Sequence, residues 1–186
     1  MSDLEERIGE AFELGEQLTV IGPRLQPGQP APAFTLDSLD APDGAMTAVS
    51  LADSHGTIRL LNVINSIDTP VCQVESRKWD RELPDMGPGV RVYTISMDLP
   101  FALARWRAAE GVTHQLLSSH RDDRFGRDYG VLIKEWRLLQ RAVFVIDRED
   151  RIAYAEYVAD QMLEPDYAAA AASIQTIVRG LRSYHT

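Results

Sequence analysis

Two runs of apolar residues, Ile58–Ile64 and Val90–Ser96, have the length and the β-branched content of buried strands. Between them lie a polar turn and a helical pattern that starts at Pro70 and ends near Leu83. Thr69 suits the position before a helix, and Pro70 suits the first helical position. This strand–helix–strand order predicts an α/β architecture in which a helix covers a buried sheet.

The rest of the chain adds a β-rich beginning and a strand pair near the end. Residues 1–10 are expected to be an acidic extension, helical or frayed, and residues 11–186 one domain, which opens with a hairpin around Gly15. Further elements are expected at Phe34–Leu36 and Thr47–Leu51 (strands, with a turn at Asp40–Gly44), Pro100–Glu110 (helix before Gly111), Leu116–Ser118 (strand), Asp122–Tyr129 (helix), Arg141–Asp147 and Ile152–Val158 (paired strands) and a final helix with an apolar stripe from Tyr167 to Leu181. This order predicts a thioredoxin-like fold: a central mixed β-sheet flanked by helices, with an N-terminal β-hairpin.

Charge and composition exclude several classes of function. The chain of 186 residues has 28 acidic and 19 basic side chains, for a formal charge of −9. Nucleic acid is therefore not an expected partner, because phosphate binding needs a basic surface. No apolar run reaches the ~18 residues of a membrane span, and the acidic N-terminus has no apolar signal core. We therefore expect a cytoplasmic protein that does not insert into membranes.

The single cysteine, Cys72, occupies the third position of the predicted helix after Thr69 and Pro70. A thiol there lies beside unpaired backbone N–H groups and the positive end of the helix dipole. Helix N-termini lower the pKa of cysteines from about 8.5 to roughly 3.5–7.5, which favours a thiolate nucleophile. The alternative is an inert core residue, because Cys72, Ser76 and Trp79 share one helix face and free cysteine is often buried.

Four segments of the chain form a recognisable set of motifs: Ser66–Cys72 (SIDTPVC), Ser96–Ala102 (SMDLPFA), Arg141–Asp147 (RAVFVID) and Glu164–Tyr167 (EPDY). Together they resemble the peroxiredoxins, and more narrowly the bacterial thiol peroxidase subfamily. Their order matches that of the subfamily, and the resemblance covers about residues 11–180. It implies an enzyme that reduces hydrogen peroxide or alkyl hydroperoxides with a cysteine thiolate, without metal, haem or other cofactor.

The resemblance also implies roles and partners. Cys72 corresponds to the peroxidatic cysteine, Thr69 to the threonine that orients the peroxide, and Arg141 to the arginine that stabilises the thiolate. The implied partners are a peroxide substrate, an external thiol reductant (a small thiol or a thioredoxin- or glutaredoxin-like protein) and a second copy in a homodimer. The other polar candidates, His55, His114, His120 and His185, are scattered without metal-ligand spacing.

Two positions depart from the family pattern. Asn65 stands where peroxiredoxins usually have a proline, and Arg107 stands where thiol peroxidases usually have a second, resolving cysteine. With one sulfur the chain cannot form an intrachain disulfide, so we expect a one-cysteine cycle. Two alternatives remain open at this point: a thioredoxin-fold binding module with little turnover, or a redox sensor in which oxidised Cys72 changes a surface.

Overall fold

The computed structural model describes residues 4–40, 44–87 and 89–182, with no side-chain description at 181 and 182. The strands are β1 (Glu6–Glu13), β2 (Glu16–Ile21), β3 (Thr35–Ser38), β4 (Thr47–Ser50), β5 (Ile58–Val63), β6 (Val90–Ser96), β7 (Gln115–Ser118), β8 (Leu132–Ile133), β9 (Leu138–Leu139), β10 (Ala142–Ile146) and β11 (Ile152–Tyr157). The helices are α1 (Pro70–Glu82), α2 (Pro100–Glu110), α3 (Arg124–Asp128) and α4 (Tyr167–Arg182), with short 3-10 helices at Leu51–Ser54 and Leu83–Met86.

A seven-stranded sheet in the order β11-β10-β5-β6-β7-β3-β4 forms the centre of the fold. Strands β5, β6 and β7 are parallel, whereas β10 pairs with β5 in the antiparallel direction. All six residues of β5 are buried, as expected of a strand covered on both faces. The predicted mixed central sheet is therefore confirmed, and within it β10 lies directly beside β5.

Strand β1 corrects the expectation for the N-terminus. Glu6–Glu10 belong to β1, which pairs with β2 from Glu6 opposite Ile21, so this part is not a helical or frayed extension. The charged residues of β1 misled the interpretation, because β1 is the edge strand of its sheet and edge strands carry charged side chains toward solvent. Residues 1–3 lie outside the described residues, and the domain limits at 10 and 11 stay a prediction.

The predicted N-terminal hairpin is confirmed, and a second hairpin that the sequence did not indicate extends it. Strands β8 and β9 are two residues each, too short for any periodicity, and β8 joins the outer sheet beside β2. Backbone hydrogen bonds between Phe12 of β1 and the residues Ala159 and Gln161 attach the N-terminal hairpin to the loop after β11.

Helices α1 and α4 cover one face of the central sheet. Trp79 of α1 and Tyr167 of α4 pack with their ring centroids 4.8 Å apart on a cluster that includes Ile58, Leu60 and Val143. Helix α2 packs Leu103 and Trp106 against Ile64, Ile67 and Cys72. No helix of the described residues is long and apolar enough to cross a membrane.

The predicted helix limits agree well with the structure. Helix α1 starts at Pro70 and α2 runs from Pro100 to Glu110, with Gly111 at a left-handed φ of 66° just beyond it. The turn predicted at Asp40–Gly44 includes residues 41–43, which lie outside the described residues. Pro88 and His185 also lie outside them.

Candidate active site

The first turn of α1 places the thiol. Thr69 is the N-cap residue with an extended backbone (φ −95°, ψ 140°), Pro70 is the first helical residue, and Cys72 is the third. The predicted position of Cys72 is confirmed, and its side chain is fully buried. The hydroxyl of Thr69 does not cap the helix; it donates to the carbonyl of Ser66 at 3.0 Å. Because a hydroxyl has one hydrogen, Thr69 keeps its lone pairs for a further donor.

The loop before α1 is fixed by a carboxylate from the loop that follows β6. Asp98 accepts hydrogen bonds from the hydroxyl of Ser66, the backbone N–H of Ile67 and the hydroxyl of Ser96, each at 2.7 Å. Three donors on one carboxylate restrict the path of the chain from β5 into α1. The sequence contained this signal in the Ser96–Ala102 segment, but no role was inferred for Asp98.

Arg141 reaches the thiol from a neighbouring strand. It lies directly before β10, whose first residue, Ala142, pairs with Val63 at the end of β5. Its Nη1 donates to the sulfur of Cys72 at 3.3 Å although 69 residues separate the two in sequence. The guanidinium is almost completely buried. The structure therefore brings Arg141 and Cys72 together, whereas the single hydroxyl hydrogen of Thr69 is directed to Ser66.

Glu75 is the site residue that the sequence reasoning missed. It lies one helical turn after Cys72, is fully buried, and accepts a hydrogen bond from the same Arg141 Nη1 that contacts the sulfur. Its Oε1 has no hydrogen-bond partner within the described part of the chain. The available signal was its spacing: Glu75 is three residues after Cys72 and therefore shares the inward face of the helix. A carboxylate on that face indicates a charged partner nearby, because buried carboxylates need one.

Burial decides the charge balance of this trio. Burial raises the pKa of Glu75 to about 8, and the attraction of Arg141 opposes that rise only in part. The pKa of Arg141 is itself raised: burial lowers it, but the charges of Glu75 and Cys72 outweigh that effect. Near neutral pH the arrangement is thus a charged arginine beside a largely protonated Glu75, which leaves the positive charge of Arg141 available to a thiolate.

This charge balance predicts a pH dependence of stability that Glu75→Gln removes. The unfolded chain loses the Glu75 proton near pH 4.5 and the folded chain near pH 8, so the folded state binds more protons between these values. The contribution of Glu75 to the free energy of unfolding then falls as pH rises through this window, by up to about 1.4 kcal/mol per pH unit. Urea unfolding at pH 5, 6, 7 and 8 measures the slope. Glu16→Gln, an exposed carboxylate on β2, is the control and should keep the wild-type slope; equal slopes for wild type and Glu75→Gln would contradict the assignment.

The position expected to hold a second cysteine carries an ion pair instead. Arg107 of α2 donates from Nη1 to Asp40 at 2.8 Å and from Nη2 to the carbonyl of Thr113 at 2.8 Å. These bonds tie α2 to the segment after β3 and to the loop before β7. Arg107 therefore has a structural explanation of its own.

The histidines among the described residues, His55, His114 and His120, form no metal site. His55 pairs with Asp150, and His120 lies beside Asp37. Buried His114, whose pKa is lowered by burial, bonds Asp80. Across residues 4–40, 44–87 and 89–182, no three His, Cys, Asp or Glu side chains are grouped to hold a metal ion.

A thioredoxin-like fold that sets a single thiol at a helix N-terminus against a buried arginine defines a cysteine-dependent redox protein. The chain belongs to the AhpC/TSA family, whose model matches residues 27–155. It is 44% identical over 165 residues to the thiol peroxidase of Streptococcus sanguinis, covering 88% of this chain and 98% of that protein. It is 41% identical over 166 residues to that of Bacillus subtilis strain 168, covering 89% and 96%.

Solved structures agree with the fold. The peroxiredoxin-like protein of Aquifex aeolicus superposes with a TM-score of 0.80 at 29% identity, covering 94% of this chain and 98% of that one. The thiol peroxidase of Chromobacterium violaceum gives a TM-score of 0.78 at 24% identity, covering 94% and 97%. The family model and the relatives at 41% and 44% identity confirm the resemblance to peroxiredoxins, and among them to bacterial thiol peroxidases, for a chain with one cysteine.

Proposed function

We propose that the protein is a thiol-dependent peroxidase in which Cys72 reduces hydrogen peroxide or alkyl hydroperoxides through a one-cysteine cycle. The observation that carries the proposal is the 3.3 Å contact between Arg141 Nη1 and the Cys72 sulfur at the first turn of α1. A guanidinium there stabilises negative charge on the sulfur and on the oxygen that departs. The roles proposed are nucleophile for Cys72, charge stabilisation for Arg141 and orientation of the peroxide for Thr69.

The reaction needs no group beyond these and an external thiol. The thiolate of Cys72 attacks the terminal oxygen of ROOH, the O–O bond breaks, and RO⁻ departs and takes a proton to give ROH. Cys72 is left as a sulfenic acid. One external thiol condenses with it and releases water, and a second thiol then attacks the mixed disulfide and restores the reduced cysteine.

The surface beside Cys72 supports a substrate or partner with an apolar part. A groove of about 300 Å³ adjoins the first turn of α1 and is lined by Pro70, Val71, Val74, Met162, Leu163 and Glu164. Val74, Met162 and Leu163 are exposed there, and Leu99 and Phe101 are exposed at the start of α2. We propose that the protein is cytoplasmic and forms a homodimer in which these exposed apolar residues take part. Sedimentation of the wild type and of Phe101→Asp measures the association.

Peroxide consumption with and without Cys72 tests the proposed function. With dithiothreitol in excess, the wild type should consume many equivalents of peroxide, and Cys72→Ser should consume it at the rate of dithiothreitol alone. The serine hydroxyl is close in size, so the fold should be kept and only the nucleophile lost. A wild type no faster than Cys72→Ser would replace the enzyme with the binding module. A wild type that oxidises once and is not turned over by thiols would instead indicate a redox sensor.

A further inference from the structure

Two buried residues, Asn65 and Gln161, accept hydrogen bonds from nitrogens of Arg141 that do not face the thiol. Arg141 Nη1 is directed to Cys72 and Glu75, whereas Nη2 donates to the backbone carbonyl of Gln161 at 2.9 Å and to Oδ1 of Asn65 at 3.4 Å. The backbone N–H of Arg141 also donates to Oε1 of Gln161 at 2.9 Å. Asn65 thus contacts the guanidinium of Arg141, whereas Gln161 contacts both the main chain of Arg141, through its side chain, and the guanidinium, through its backbone carbonyl.

The two amides also hold each other. Asn65 Nδ2 donates to Oε1 of Gln161 at 3.0 Å and to the carbonyl of Leu139 at 2.6 Å. Gln161 Nε2 donates to the carbonyls of Val158 and Ala159 at 2.7 and 3.0 Å. Since each amide nitrogen has two carbonyl acceptors, the orientation of both side chains follows from their partners. Asn65 and Gln161 are 5% and 2% exposed, so water does not compete strongly for these bonds.

We propose that Asn65 and Gln161 are positioning residues that hold the guanidinium of Arg141 against the Cys72 sulfur. The inference rests on the proposed function, because it assigns them an effect on the attack of Cys72 on peroxide. A long arginine side chain samples many rotamers when it is free, and ordering it before the peroxide arrives removes that cost from the chemical step. Nη2 is used for anchoring and Nη1 for the chemistry.

This role also explains the departure from the family pattern at Asn65. A proline there would have no side-chain amide and could make none of these bonds. Asn65 lies two residues after the end of β5 and four residues before Thr69, on the loop that leads into α1. Asn65 joins the loop that leads into the helix of the nucleophile to Arg141 by one direct hydrogen bond, and to Gln161 by another.

Rates of Cys72 oxidation in Asn65→Ala and Gln161→Ala test the inference. We expect each variant to react with hydrogen peroxide about 10- to 100-fold more slowly than the wild type in stopped-flow mixing, because small displacements of a catalytic group have effects of that order. Gln140→Ala is the matched control. Gln140 is equally buried and also donates to the carbonyl of Val158, but its described hydrogen bonds do not include Arg141. It should react within about twofold of the wild type.

A background without Arg141 separates positioning from a purely structural role. If Asn65 acts through Arg141, adding Asn65→Ala to Arg141→Ala should leave the oxidation rate unchanged, whereas a loss of stability would still add. The inference is overturned if both single variants react like Gln140→Ala, or if Asn65→Ala slows the Arg141→Ala protein by the same factor as the wild type. A wild type that does not react with peroxide would instead refute the proposed function.

Discussion

Replacing Arg141 with alanine should lower the second-order rate constant for peroxide reduction by about 100- to 1,000-fold. Removal of one preorganised charge-stabilising donor typically has an effect of that size. Here the donor is a full positive charge, buried and 3.3 Å from the sulfur, so solvent cannot take its place readily. The reaction places negative charge first on sulfur and then on the leaving oxygen, and Arg141 is the cation in contact with the sulfur.

Two further variants separate this catalytic effect from a loss of folding. Arg141→Lys keeps a charge but loses the two-nitrogen fork, in which Nη1 contacts Cys72 while Nη2 is bonded to Asn65 and Gln161, so it should recover only part of the rate. Arg59→Ala removes another fully buried arginine, one that pairs with Asp150 at the other end of β5. It should lower the urea midpoint while the rate of the folded protein stays near that of the wild type. Equal loss of rate in the Arg59 and Arg141 variants would show that the effect is structural.

The elements that present the thiol were predictable from the sequence because local signals define them. The apolar run at Ile58–Ile64 specifies a strand buried on both faces, and Thr69 and Pro70 specify where the next helix begins. Together they fix Cys72 in the first turn without knowledge of any distant contact. The proximity of Arg141 was predictable only through the resemblance, since a pairing across 69 residues leaves no local pattern.

The residues around Arg141 were not predictable for the same reason. Glu75 looks like an ordinary charged helix residue until the sheet brings Arg141 beneath it. Gln161 lies in a loop, and its importance comes from two partners, Asn65 and Arg141, that are 96 and 20 residues away. Local sequence rules identify elements, but the electrostatic surroundings of a thiol depend on which distant segments the sheet order places together.

Without an added thiol, the protein should complete about one turnover, which leaves Cys72 as sulfenic acid, and should then be inactivated as the peroxide concentration rises. A disulfide needs two sulfurs, and the chain has one, because Arg107 stands in the place of the second. Two fates then compete for the sulfenic acid: capture by an external thiol, which restores the cycle, or further oxidation to the irreversible sulfinic acid. At this position Arg107 pairs with Asp40, so α2 supplies no thiol that could capture the sulfenic acid.

Intact mass after stepwise addition of peroxide measures these fates. One equivalent should add one oxygen, excess peroxide should add two, and dithiothreitol added after the first equivalent, but not after the excess, should restore the starting mass. A Cys72–Cys72 disulfide between two copies is disfavoured, because the fully buried thiols of two α1 helices would need their Cα atoms within about 4.4–6.8 Å. A non-reducing gel dominated by a disulfide-linked dimer would overturn the one-cysteine cycle, because oxidation would then join two copies as in a redox sensor.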